Sequence, residues 1–273
     1  MGDVFVVPQL LHDEMLSQQQ LDSARAALYP SVAAGGPARA SSLLPVSPLS
    51  VAERVVGNLL ALNPALKIFA LGGDHSVAWP VVAALAAARG GRPFAIVHPD
   101  AHTDLLPERL GVKYCFATWA YHANEAIGRG GRLVQVGVRA SRHPRAHWES
   151  TLGVRQFWAA EIAARGEAGT LDDIVAHLRG IGVDEVYLSN DIDATDAAAA
   201  PATGAPEAAG LSVGFVRALI ARLGREVRLI GADLVEVAPT LGDPADARRT
   251  IEVGARYALD SLAAMTGAGD LVV

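Results

Sequence analysis

Three short clusters hold the residues of this chain best able to do chemistry: Gly72-Gly73-Asp74-His75-Ser76, Asp100-Ala101-His102-Thr103-Asp104 and Asp191-Ile192-Asp193, the last followed by Asp196. In an extended DxHxD run alternate side chains share one side, so Asp100, His102 and Asp104 can converge on a point, and Asp191 and Asp193 can do likewise. Carboxylates mixed with imidazole suit Mn²⁺, Fe²⁺ or Zn²⁺; the carboxylate majority and the lack of thiolate favour harder ions such as Mn²⁺. Carboxylates gathered in one pocket repel one another unless cations neutralise them, and two divalent ions would do so. A lone aspartate past a strand is commonly just a cap or turn former. Three clusters together point instead to a built site.

Elements must carry these clusters to one place. Short apolar runs at 67–71, 93–97, 133–138, 185–189 and 227–231 show no alternation, the pattern of strands buried on both faces. Between them, 77–89, 117–127, 171–180, 213–223 and 247–265 read as helices. Strand and helix in alternation predict an α/β fold of three layers, α/β/α, around a mostly parallel central sheet, with 1–273 as one domain. Each cluster then falls just past the carboxyl end of a strand, the edge where open parallel sheets bind ligands. The Pro-, Ser-, Ala- and Gly-rich stretch 29–48 reads as a mobile loop, and 193–210 as a second long loop.

Composition narrows the partners. With 273 residues, 51% hydrophobic and only 19% charged, the chain is far from the composition of disordered proteins. Its net charge of −6, with no Lys/Arg-rich block, excludes nucleic acid and anionic membrane surfaces as main partners and leaves small molecules or proteins. Cys115 is the lone cysteine, which removes disulfides and thiolate metal sites and leads us to expect a cytoplasmic location. No signal peptide and no apolar stretch long enough to span a membrane is read from the sequence.

Taken together, GGDHS (72–76), DAHTD (100–104), SNDID (189–193) with PATGAPE (201–207), and DLVEVAPTLGD (233–243) resemble the arginase/agmatinase superfamily of ureohydrolases, in order and approximate spacing, over most of the chain. The resemblance implies a three-layer fold with two Mn²⁺ per subunit, in homo-oligomers of three or six subunits. It implies His75 and Asp104 on one ion, His102 and Asp193 on the other, and Asp100 and Asp191 bridging both. The implied activity is hydrolysis of a linear guanidine or amidine C–N bond, as in agmatinases, arginases and formiminoglutamases, by a metal-bridging hydroxide that attacks the guanidino or formimino carbon. Asp104 would move the hydroxide's proton, and Glu236 would pair with the substrate's cationic NH₂ groups.

The sequence departs from the usual pattern after DAHTD. Where arginases and agmatinases carry a His-Gly pair whose histidine shuttles protons, this chain has Phe116, or Cys115 after a one-residue slip. Loss of a general acid typically costs about 10²–10⁴-fold in rate. His122 is the nearest replacement in sequence and stands as a catalytic candidate. A family member that binds metal but has lost hydrolysis, acting as a binding or regulatory protein, is the alternative. His98, two residues before Asp100, is a candidate to support the metal site. Cys115 reads as a packed thiol, and His143 and His147 as part of a solvated basic loop. Arg109 offers itself to a carboxylate-bearing substrate, and Glu108 to a cationic one.

Overall fold

Among the described residues six parallel strands make one sheet: β1 (Ile68–Leu71), β2 (Ala95–Pro99), β3 (Leu133–Val138), β4 (Arg155–Trp158), β5 (Glu185–Asp191) and β6 (Arg228–Val235), in the order β1-β6-β5-β2-β3-β4. The structure, a computed structural model, describes residues 16–20, 22–23 and 48–267. The expected loop at 29–48 lies outside the described residues, apart from Pro48, which opens the helix Pro48–Leu62. Strands β2, β3 and β5 are buried at every position, because parallel strands joined by helical crossovers are covered on both faces.

Helices α1 (Pro48–Leu62), α2 (Ala78–Arg89), α3 (Trp119–Ala126) and α4 (Arg145–Leu152) share one core with Ile96, Leu133, Tyr187 and Ile230 of the sheet. Helices α5 (Ala159–Arg165), α6 (Glu167–Gly180), α7 (Val213–Glu226) and α8 (Pro244–Thr266) share the other with Val97, Val134, Leu188 and Ala232. Neighbouring strand residues such as Ile96 and Val97 thus serve opposite cores, as the two-residue period of a strand demands. Each fully buried Leu, Ile or Phe contributes about 1.5–3 kcal/mol to this layering. The expected three-layer α/β/α architecture is the one observed. Ser212 caps α7 by accepting from Phe215 N at 2.9 Å, and Asp243 caps α8 by accepting from Ala245 N and Asp246 N, each at 2.8 Å.

Four elements were not expected: α1, β4, α4 and α5. β4 is a four-residue edge strand, too short to show a period, and the polar helix α4 occupies what reads as a basic loop. His147 therefore sits on a helix, its ring stacked on His143 at 4.1 Å. The chain runs outward through β2, β3 and β4, then returns to lay β5 on the other side of β2. At such a reversal two loops leave the sheet edge in opposite directions and open a crevice. The chemistry-bearing clusters lie there.

Candidate metal centre

The loop after β1 must turn sharply to present His75. A Cβ on Gly72 would lie 2.3 Å from Val77 Cγ2, so only glycine fits the turn. Asp74 accepts from Ser76 N at 2.9 Å and starts the single 3₁₀ turn His75–Val77. His75 is buried, with Nε2 2.9 Å from Ser189 Oγ. Ser189 Oγ in turn donates to the Asp233 carboxylate at 2.9–3.0 Å, so its lone pair meets the proton on Nε2. Nδ1 of His75 then faces Asp191 (3.1 Å), Asp100 (3.3 Å) and Asp104 (3.5 Å).

Past β2, Asp100 Oδ1 accepts the His102 N–H at 2.6 Å, and Oδ2 lies 2.7 Å from His98 Nε2. His102 Nδ1 faces Asp193 Oδ2 at 3.0 Å and Asp100 Oδ1 at 3.4 Å. Asp104, at φ 51°, is held in the left-handed region and accepts the indole N–H of Trp119 on Oδ2 at 3.0 Å. Trp119 also stacks on His75, ring centroids 4.5 Å apart. Past β5, Asp191 Oδ1 accepts from Asp193 N at 2.8 Å, and Asp193 Oδ1 from Ala101 N at 3.1 Å. Past β6, Glu236, also left-handed at φ 61°, accepts the His75 N–H on Oε1 at 3.0 Å. Strain of this kind costs about 1–3 kcal/mol per residue and gathers at functional sites.

The donor atoms fall into two groups, each with atoms within 4.8 Å of one another: His75, His98, Asp100 and Asp104 in one, and Asp100, His102 and Asp193 in the other. Asp100 belongs to both. Burial, then the negative charge of Asp100, pushes Asp104 well above the usual carboxylate range; burial and Asp193 do the same to Asp191. Burial followed by Asp100 raises Asp193. Asp100 alone goes the other way: burial raises it, but neighbouring His98 and hydrogen bonds from His102 and His75 outweigh that and hold it well below the range. Burial lowers His75, yet hydrogen bonds to Asp100 and Asp191 raise it well above 6.5. Hydrogen bonds to Asp100 and Asp193 carry His102 up to about 11. Protons on these imidazoles and divalent cations are alternative ways of balancing the same carboxylates. Two imidazole nitrogens and four buried or nearly buried carboxylates, with Asp100 shared, fit a pair of hard divalent cations.

The expected residues separate clearly. His75, Asp100, His102, Asp104, Asp191 and Asp193 come together, and Glu236 joins them in a cleft of about 1100 Å³. His122 does not. It lies on α3 with Nε2 3.0 Å from Lys113 O and 3.1 Å from Pro107 O, its ring edge-on to Trp79, Tyr114 and Tyr121, and it does not line the cleft. Phe116 does line it, 41% exposed, with the Arg109 guanidinium 4.8 Å over its ring. His143, read from sequence as part of a solvated loop, also forms its wall, as does Trp148. Cys115 is half-buried beside Thr118 Oγ1. Sequence reasoning missed Trp119 and Asp233. Trp119 carries no spacing signal, whereas Asp233 is a buried carboxylate just inside the last motif quoted above.

The sequence profile of the arginase family matches residues 22–263. The chain belongs to the arginase family. This arginase-family chain is 40% identical over 172 residues to N(1)-aminopropylagmatine ureohydrolase of Thermus thermophilus, a match covering 63% of this chain and 55% of that protein. To proclavaminate amidinohydrolase of Streptomyces clavuligerus it is 34% identical over 199 residues, covering 70% of this chain and 59% of that one. The solved structure of the latter superposes with a TM-score of 0.70 at 31% identity, over 81% of this chain and 70% of that chain. The matches thus span little more than half the length of the relatives compared by sequence. Among the described residues of this arginase-family member, no helix is long and apolar enough to cross a membrane.

Proposed function

We propose that this protein hydrolyses a C–N bond of a linear guanidino or amidine compound and uses two manganese ions to do so. One observation carries the reading: two groups of ligand atoms share the buried Asp100, and His75, His102, Asp104 and Asp193 of those groups line a cleft into which Glu236 also opens. In this reading His75 and Asp104 hold one cation, His102 and Asp193 the other, and Asp100 and Asp191 both. When bound, the cations would neutralise the carboxylates and lower the pKa of a water to give a nucleophile near neutral pH.

The chain's own residues supply the rest. Trp119 fixes Oδ2 of Asp104, leaving Oδ1 to take a proton and pass it to the departing nitrogen. Glu236 keeps Oε1 on the His75 N–H, while Oε2 points toward Gly204, 3.2 Å from where a Cβ there would stand. Gly204 leaves room for a guanidinium to reach that oxygen in a charge-assisted contact. The cleft wall carries Arg109 and Arg142, neither in an ion pair among the described residues, beside Glu108 and the exposed Asp74. Asp74 accepts from Ser76 N within its own turn, and the two arginines favour a substrate whose far end is anionic over one ending in an ammonium. Phe116 cannot donate a proton, which favours a second reading: a family member that binds metal and substrate without hydrolysis.

A cytoplasmic location and a homo-oligomer of three or six subunits belong to the same proposal. The single free thiol supports the first, and the exposed apolar row Val51, Val55, Leu59 and Leu62 along α1 supports a subunit contact. The deciding experiment offers agmatine, arginine, guanidinobutyrate, guanidinopropionate and formiminoglutamate to Mn²⁺-reconstituted protein with bound metal quantified in the same sample. Release of urea or formamide supports the hydrolase. Bound metal with no turnover across the panel favours the second reading, and failure to bind divalent metal overturns both.

A further inference from the structure

A row of buried polar side chains crosses three strands directly beneath the candidate metal centre. His98 on β2, Gln135 on β3 and Gln156 on β4 are register partners, and none of the three is exposed to solvent. The hydrogen bonds along the row run in one direction. Trp158 Nε1 donates to Gln156 Oε1 at 2.9 Å, and Gln156 Nε2 donates to Gln135 Oε1 at 2.8 Å. Gln135 Nε2 donates both to His98 Nδ1 at 3.1 Å and to Thr103 O at 2.7 Å. His98 Nε2 then meets Asp100 Oδ2 at 2.7 Å.

The two ends force that direction. An indole N–H can only donate, and a backbone carbonyl can only accept. Turning the Gln156 amide would set its oxygen against Gln135 Oε1 and its NH₂ against the Trp158 N–H. Turning the Gln135 amide would set its oxygen against Thr103 O. Each turn leaves buried polar groups unpaired, a cost the observed arrangement avoids. Only one arrangement satisfies every atom, and it makes His98 Nδ1 an acceptor and Nε2 the donor to Asp100. Gln135 has a second hold on the centre, because Thr103 lies between His102 and Asp104.

We propose that Gln135 and Gln156 are positioning residues that fix His98 as the Nε2–H tautomer and, through His98 and the Thr103 carbonyl, hold Asp100, His102 and Asp104 at the spacing the cations require. This deepens the metal reading above and rests on it. Partners that orient a ligand from behind typically matter about 10–100-fold in metal affinity.

The test uses Gln135→Met and Gln156→Met, which keep side-chain length and remove the amide. Ring ¹⁵N shifts of His98 in metal-free, histidine-labelled protein report the tautomer, with His98→Asn providing the assignment; an Mn²⁺ titration followed by electron paramagnetic resonance reports affinity. We expect the Nε2–H tautomer in the unaltered protein, a mixture in both variants, and Mn²⁺ affinity lowered about 10–100-fold by Gln135→Met and less by Gln156→Met. If Gln135→Met does not fold, Gln156→Met, one strand further from the centre, carries the test. A proton on His98 Nδ1 in the unaltered protein, or an unchanged tautomer and affinity in the folded variants, overturns the proposal. If the unaltered protein takes up no Mn²⁺, the metal reading falls and the cation-spacing role with it, while the tautomer still decides whether the row orients His98.

Discussion

The main-chain N–H of His75 donates to Oε1 of Glu236 at 3.0 Å, and the main-chain N–H of Glu236 donates to Gly73 O at 2.8 Å. This reciprocal clamp joins the loops after β1 and β6. The carboxylate proposed to meet substrate therefore also fixes the backbone of a candidate ligand. Replacing it entirely would disturb both, so the informative variant is Glu236→Gln, which keeps an acceptor for His75 and removes the charge. A hydrogen bond to a charged group is worth about 1.5–3 kcal/mol, so kcat/KM on the guanidino substrate should fall roughly 10–150-fold. Bound Mn²⁺, measured by elemental analysis, should not change.

Trp119→Phe keeps an aromatic ring against His75 and removes the N–H that holds Asp104 Oδ2. Mn²⁺ affinity should drop about 10–100-fold, read by chelator competition. Unchanged affinity would show that Asp104 needs no such support.

In the metal-free protein His102 is raised from 6.5 to about 11 by its bonds to Asp100 and Asp193. A proton bound more tightly by the folded chain stabilises it below the unfolded value, and that stability is lost as pH rises through the folded value. Asp104 and Asp191, pushed up by burial, act in the same direction from the acid side. The urea midpoint in chelator should therefore decline from about pH 7 to about pH 10, and His102→Asn should flatten the decline.

Arg109→Gln combined with Arg142→Gln should lower kcat/KM for guanidinobutyrate about tenfold and leave agmatine unchanged or improved, because one charge-assisted contact is lost only for the anionic tail. The ratio of the two rates in the same preparation is the measurement. Loss of both rates in equal proportion would place the arginines in folding instead of recognition.

Gly72→Ala should cost about 1–3 kcal/mol in urea unfolding, since its Cβ would have to displace Val77. Adding Val77→Ala removes the clashing Cγ2 at 2.3 Å and should restore His75's position, read as recovered Mn²⁺ binding.

The layers and the residues that meet at the candidate site were legible in the sequence because both rest on local pattern. Continuous apolar runs marked β2, β3 and β5, and clusters of aspartate and histidine marked the carboxyl ends of β1, β2 and β5. Elements that depend on tertiary context were hidden. β4 holds only Arg155–Trp158 at the sheet edge, and α4 is mostly polar, with Trp148 and Leu152 reaching the core. Gln135 looked like one polar residue in an apolar strand, because its partners His98 and Gln156 lie 37 and 21 residues away in sequence. Asp233 meets Ser189 across 44 residues. His122 misled because proximity in sequence to Phe116 says nothing of direction: its imidazole bonds to the Lys113 and Pro107 carbonyls and not to the aspartates.

Strand β6 lies between β1 and β5, yet it comes last in the chain. During synthesis β2 and β5 can pair as soon as both have emerged, bringing Asp100, His102 and Asp193 together. His75 must wait, because β1 pairs only with β6. The two groups of candidate ligand atoms, ångströms apart in the fold, are thus some forty residues of translation apart, and a nascent chain that has exposed β5 but not β6 would be able to assemble one group and not the other.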